Sequence, residues 1–161
     1  MSKSLVIYYS LEGNVEFVAK ELAEELGADT FRVETVKDYP KKGLFKYFHG
    51  GKDVVFNTLP ELKRAIPDVS SYELIVIGTP VWASRPAAPL NTVFASVDFS
   101  GKKVAAFCSS ASGVEGKTFE VIVEKARGVQ SLCASMSLKN PIKNAEATKA
   151  EIKAFAEKIR Q

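Results

Sequence analysis

Four runs in this 161-residue chain are apolar almost without a break: "SLVIYYS" at 4–10, "ELIVIGT" at 73–79, "KKVAAFCSS" at 102–110 and "SLCASMSL" at 131–138. A strand with one wet face alternates apolar and polar side chains, whereas a strand covered on both faces shows little alternation. Such runs call for a parallel sheet with helices packed on both sides. "TFRVET" at 30–35 reads as a fifth, more amphipathic strand.

Helical patterns lie between these runs. Val15, Val18, Ala19, Leu22, Ala23 and Leu26 recur at three- and four-residue intervals, and Gly27 supplies a stop. Segments 86–97, 114–127 and 145–160 complete the set. Strand and helix alternating along the whole chain predict a doubly wound α/β fold, with right-handed crossovers placing helices on both faces in three α/β/α layers. An apolar fraction of 46% in 17.6 kDa suits one domain spanning residues 1–161.

The 22 basic and 19 acidic residues are mostly intermingled, and a net charge of +3 with no single-sign block gives no support to nucleic-acid binding. Cys108 and Cys133 stand 25 positions apart, a spacing of neither a metal site nor a redox pair, so buried, reduced thiols and no metal are expected. No stretch approaches the ~18 apolar residues of a membrane span, and the start lacks a long apolar leader-like run. A cytoplasmic protein is the expectation, and reduced cysteines fit it.

Residues 36–60, "VKDYPKKGLFKYFHGGKDVVFNTLP", are too long for an ordinary connection. The segment carries Tyr39, Phe45, Tyr47, Phe48 and the chain's single histidine, His49. It is either a lid-like insertion over a site or a cover for a sheet edge.

Ligands of open α/β sheets bind at the carboxyl ends of the strands, where the strand order reverses. That rule directs attention to loops 10–15, 79–85 and 108–116. In the first, Gly13 permits a tight strand-to-helix turn and Asn14 is a good N-cap residue. The unpaired N–H groups and positive dipole end of the following helix suit a phosphate, to which Ser10 adds a hydroxyl. The bland alternative is that Ser10, Gly13 and Asn14 only cap a helix. In "GTPVWASRPAAPLNTVF", Trp82, the one tryptophan, follows a strand end at Thr79 and Pro80. It either stacks on a flat ligand or packs beneath the 36–60 segment. "CSSASGVEG" gathers Ser109, Ser110, Ser112 and Gly113 in a polar loop able to wrap a ligand or to serve as a turn.

"YYSLEGN", "IVIGTPVWASRPAAPLNTVF" and "AFCSSASG" together resemble the flavodoxin-like family, over essentially the whole chain. "YPKKGLFKYFHGG" is similar to an insertion in a bacterial subgroup of it. The resemblance implies a five-stranded parallel sheet in the order 2-1-3-4-5 and FMN as cofactor. It implies that Ser10, Leu11, Glu12, Gly13, Asn14 and Val15 hold the phosphate. Thr79, Pro80, Val81, Trp82 and Ala83 would lie along the isoalloxazine ring, with Ser109, Ser110, Ala111, Ser112 and Gly113 closing the other side. No catalytic acid, base or nucleophile is required, because the flavin carries the redox chemistry.

The chain departs from the family pattern in two ways. Glu12 and Val15 stand where hydroxyls are common, and a carboxylate about 6 Å from a phosphate repels each unit of charge by roughly 3 kcal/mol at an effective dielectric near 20. Glu12 is expected to face solvent, with backbone N–H groups doing the binding. Residues 80–85 also lack the glycine whose peptide flips in many electron-carrier flavodoxins. The expected function is FMN-based electron transfer with redox partner proteins or a small electron acceptor. The alternatives are an FMN-dependent NAD(P)H oxidoreductase acting on quinones and a cofactor-less interaction module.

Overall fold

The computed structural model describes residues 3–39 and 58–161. Five strands form the parallel sheet: β1 (Lys3–Tyr8), β2 (Asp29–Arg32), β3 (Tyr72–Trp82), β5 (Lys103–Ser110) and β6 (Ser135–Lys139), side by side as β2-β1-β3-β5-β6. The two-residue β4 (Arg85–Pro86) pairs only with the end of β3, antiparallel. Leaving β4 aside, the expected order 2-1-3-4-5 is the order found.

Both faces of the sheet are buried, as the unbroken apolar runs require. Val6 and Tyr8 of β1, Leu74 and Val76 of β3, and Ala105 and Phe107 of β5 point into one core with α1 (Asn14–Leu26) and α4 (Ala145–Arg160). The alternate residues Leu5, Ile7, Ile75, Ile77, Val104 and Ala106 enter a second core with α2 (Pro89–Ser96) and α3 (Thr118–Lys125). The period of two along each strand therefore feeds two apolar layers. Gly78 makes room for the ring of its neighbour on β5: a Cβ there would lie 2.3 Å from Cζ of Phe107. α1 ends as its glycine predicts. Gly27 takes φ 62 and, with Ala28, donates back to the last turn (Gly27 N–H to Glu24, 3.3 Å; Ala28 N–H to Ala23, 2.8 Å).

Several boundaries shift for tertiary reasons. β3 runs past Thr79 to Trp82 because Val81 and Trp82 pair with Pro86 and Arg85. Helix 86–97 shortens to α2 accordingly, with Pro89 at its first position. Helix 114–127 shortens to α3 because the chain before it is pulled onto the hairpin tip, where the Lys117 N–H donates to the Ser84 carbonyl at 2.7 Å. β2 stops at Arg32 and β6 begins at Ser135, inside the spans expected for them.

The described ends of the 36–60 segment are zipped together. Val36 N–H donates to Glu61 O (2.9 Å), Lys63 N–H to Glu34 O (2.8 Å), and Thr35 faces Leu62 in an antiparallel bridge. The returning end is tied to α2, since Asn91 Nδ2 donates to Thr58 O at 3.0 Å and the Thr92 hydroxyl to Pro60 O at 2.6 Å. Phe45, Tyr47, Phe48 and His49 lie outside the described residues.

Candidate functional site

The exits of β1, β3, β5 and β6 surround one cavity of about 190 Å³. Its lining takes Ser10, Leu11, Glu12, Asn14 and Val15 from the first loop, and Pro80, Val81, Trp82 and Ala83 from the second. Ser109, Ser110 and Ala111 come from the third, and Asn140 from a fourth. Four of the expected residues stand behind this lining. Gly13 shapes the turn at φ 101. Thr79 is fully buried, its hydroxyl donating to Pro80 O (2.7 Å) and accepting from the Ala87 N–H (2.9 Å), so it braces the hairpin from below. Ser112 and Gly113 shape the third loop.

At the β1 exit, Ser10 is buried and its Oγ accepts the Gly13 N–H at 3.1 Å, which fixes the turn. The hydroxyl proton stays available to a ligand. The cap differs from expectation: Gly13, not Asn14, is the N-cap residue, and its carbonyl takes the Phe17 N–H at 3.0 Å. Asn14 is instead the first helical residue, and its Oδ1 accepts the N–H of Ile142 at 3.1 Å. This bond joins the first loop to the β6 exit. In the first turn of α1, the N–H groups of Asn14, Val15 and Glu16 have no acceptor among the described residues, as at any helix start. That is the donor set a phosphate needs.

Arg32, at the end of β2, pairs with Glu16 and donates to the Ser10 carbonyl at 3.3 Å. Glu16 also accepts from Lys20 at 2.8 Å. The hydrogen bond from Lys20, aided by Arg32 and opposed by partial burial, holds the Glu16 carboxyl below its ordinary range. Glu12 is exposed while lining the cavity mouth.

Trp82 does not sit in a loop. It is the last residue of β3, half-buried, and meets Tyr9 edge-on (centroids 5.5 Å apart, 83°) and Tyr39 at 5.0 Å and 59°. Tyr39 belongs to the 36–60 segment, so the packing alternative for Trp82 holds in part, while the same indole also lines the cavity. Burial raises the Tyr9 phenol well above its ordinary range, so this aromatic group is uncharged. The hairpin turns through Ala83 (φ 49) and Ser84 (φ 67), two side-chain-bearing residues in the left-handed region. Its tip is held by Lys117, and a Cβ on Gly116 would lie 1.9 Å from Ser84 Oγ.

The third loop folds on itself: Ser110 Oγ accepts the Gly113 N–H at 2.9 Å. Asn140 then fastens it, donating its backbone N–H to Ser110 O (3.1 Å) and its Nδ2 to Ala111 O (3.4 Å). Asn140, at φ 40, is the lining residue that sequence reasoning missed. Its signal was the Asn-Pro pair after the last strand, which favours a turn, and the tolerance of Asn for positive φ. Of the two thiols, Cys108 is buried, burial pushing it up to about 11, while Cys133 is exposed, contrary to expectation.

The flavodoxin family profile matches residues 3–159. The chain belongs to the flavodoxin family. The chain is 29% identical over 135 residues to the NAD(P)H dehydrogenase (quinone) of Caulobacter vibrioides, covering 76% of this chain and 65% of that relative. It thus spans just under two thirds of that protein. A crystallised protein of Bacteroides uniformis, described as a flavoprotein, superposes with a TM-score of 0.83 at 22% identity, covering 97% of this chain and 98% of the other. A flavoprotein of Lactobacillus acidophilus, crystallised in complex with FMN, gives 0.73 at 23% identity over 91% and 98%. At these identities the two structures bear on the fold alone. Among the described residues no helix is long and apolar enough to cross a membrane.

Proposed function

We propose that FMN occupies this cavity and that the protein is an electron carrier serving a redox partner or a small acceptor. The observation that carries the reading is the meeting of four strand exits at one cavity whose base is the open first turn of α1. The residues fit the group. Asn14, Val15 and Glu16 offer backbone N–H donors and Ser10 a hydroxyl to the phosphate. Leu11, Pro80, Val81, Trp82, Ala83 and Ala111 offer apolar surface to a flat ring. A volume of about 190 Å³ is below the roughly 300–1,000 Å³ that encloses a drug-sized ligand, so the described residues would enclose only part of the group.

FMN, when bound, supplies the redox chemistry. The chain's own residues place it. Arg32 and Asn14 lock the phosphate loop from either side, Tyr9 and Tyr39 fix the indole, and Asn140 holds the third loop closed. Titration of the protein with FMN, followed by flavin fluorescence, tests this: quenching with a one-to-one endpoint is expected, weakened by Ser10→Ala. A colourless protein that leaves free FMN fluorescence unchanged would instead favour the cofactor-less module.

The curated relative favours a second reading, an NAD(P)H oxidoreductase acting on quinones. Steady-state oxidation of NADPH with a quinone separates the two. Turnover above that of free FMN assigns an enzyme, and its absence leaves the carrier.

A further inference from the structure

We propose that the rim built from the β5 and β6 exits is a docking face for an acidic electron-transfer protein. The inference rests on the carrier reading above and adds the partner's chemistry. Val114 is 62% exposed and Ile142 50% exposed. They stand on loops joined to each other: Asn140 N–H donates to Ser110 O at 3.1 Å and the Ser137 hydroxyl to Gly113 O at 2.7 Å. The second loop is also fixed to the cavity wall through the Ile142 N–H and Asn14. Large aliphatic side chains left in water beside a ligand cavity, on backbone this well tied, suit a contact surface.

The charge around them is unbalanced. Lys117, Lys139 and Lys143 are exposed, and among the described residues none is in an ion pair. By contrast Lys20, Arg32, Arg64 and Arg127 each have a carboxylate partner. With Arg85, the loops around the cavity (10–15, 80–85, 109–117 and 139–144) hold four cations against two carboxylates, Glu12 and Glu115. Transient redox encounters bury little area and depend on steering by opposite charge, so a basic rim with an apolar centre selects an acidic face. A nicotinamide dinucleotide is the competing ligand for these cations. The protruding Val114 and Ile142 offer it no cleft, whereas they give a protein surface its apolar contact.

The test is an amide-shift titration of the ¹⁵N-labelled, FMN-loaded protein with rubredoxin, a small acidic redox protein, at about 20 mM and about 300 mM salt, where screening differs strongly. Cytochrome c is the basic control. Shifts confined to 114–117 and 139–143 are expected with rubredoxin, weakening about tenfold at the higher salt. Lys139→Glu/Lys143→Glu should remove them, and Lys149→Glu/Lys153→Glu on α4 should not. Shifts elsewhere, no shifts, equal loss in the α4 variant, or cytochrome c bound on this rim would overturn the proposal. So would NADP⁺ shifting the same amides at lower concentration than rubredoxin does. Failure to take up FMN would overturn the carrier reading and this proposal with it, whereas a wrong shift map on the FMN-loaded protein overturns the docking face and leaves the carrier reading standing.

Discussion

Glu12 sits at the mouth of a cavity suited to a phosphate, and exposure decides how much its charge matters. In a water-like dielectric, a unit charge about 6 Å away is worth about 0.7 kcal/mol rather than roughly 3. Glu12→Gln should therefore tighten FMN by about threefold at low salt, read by fluorescence quenching. A gain beyond about tenfold would place the carboxylate against the phosphate. Glu16, one turn on, behaves differently, because Lys20 and Arg32 hold its folded-state carboxyl below the ordinary 4.5. A depressed folded value stabilises above the unfolded pKa and is lost as pH falls through the folded one. Glu16→Gln should accordingly be less stable than wild type near about pH 7 in urea, with the gap closing below 4.5. At this scale the sequence was only partly legible. Gly13 makes the tight turn its type suggested, with its N–H on Ser10 Oγ, but Asn14 was read as a cap when its partner is 128 positions away.

Among elements, the β3 segment shows how a local pattern and a long-range contact divide the work. The apolar run around Ile75 and Ile77 announces a buried strand, and Gly78 within it looks like a weakness. Its purpose is visible only against β5, where Phe107 lies over the missing side chain. Gly78→Ala should cost about 1–3 kcal/mol, measured by urea denaturation of the FMN-free protein. Adding Phe107→Leu should recover part of the loss, because the two sites share one contact. The same strand's extension to Trp82 was not legible, since the turn at Ala83 and Ser84 lacks the Asn-Gly or Asp-Gly signal of a two-residue hairpin. What holds it is the contact with Gly116 and Lys117, from a loop more than thirty residues on.

For the whole molecule, the two cysteines report on the fold independently of any ligand. Cys108 lies in the sheet beneath the site, its thiol pushed up to about 11, whereas Cys133 is exposed at the opposite edge beside Lys103 and Gln161. A thiol-disulfide reagent should titrate Cys133 in the native protein and both cysteines after denaturation. Reaction of both at equal rates in the native state would contradict the packing of β5. Charge is distributed just as unevenly. Residues 36–60 carry five lysines and two aspartates, an excess equal to the whole chain's +3, so the rest of the chain is balanced in sum. The positive rim near β5 and β6 is thus a matter of arrangement, and composition gave no hint of it.

The amino-acid sequence by itself determined a parallel sheet with two covered faces, three of the strand exits that meet at the cavity, and the family. Unbroken apolar runs and 3.6-residue periodicity record burial directly, and burial on both sides admits few architectures. Only the tertiary structure decided that Gly13 caps α1, that Asn14 bridges to Ile142, that Asn140 joins the cavity and that Cys133 is exposed. Each of these depends on which distant backbone group comes within hydrogen-bond reach, or on which surface is left uncovered. A polar side chain of one type can satisfy many partners, so the choice is made when the strands are set side by side.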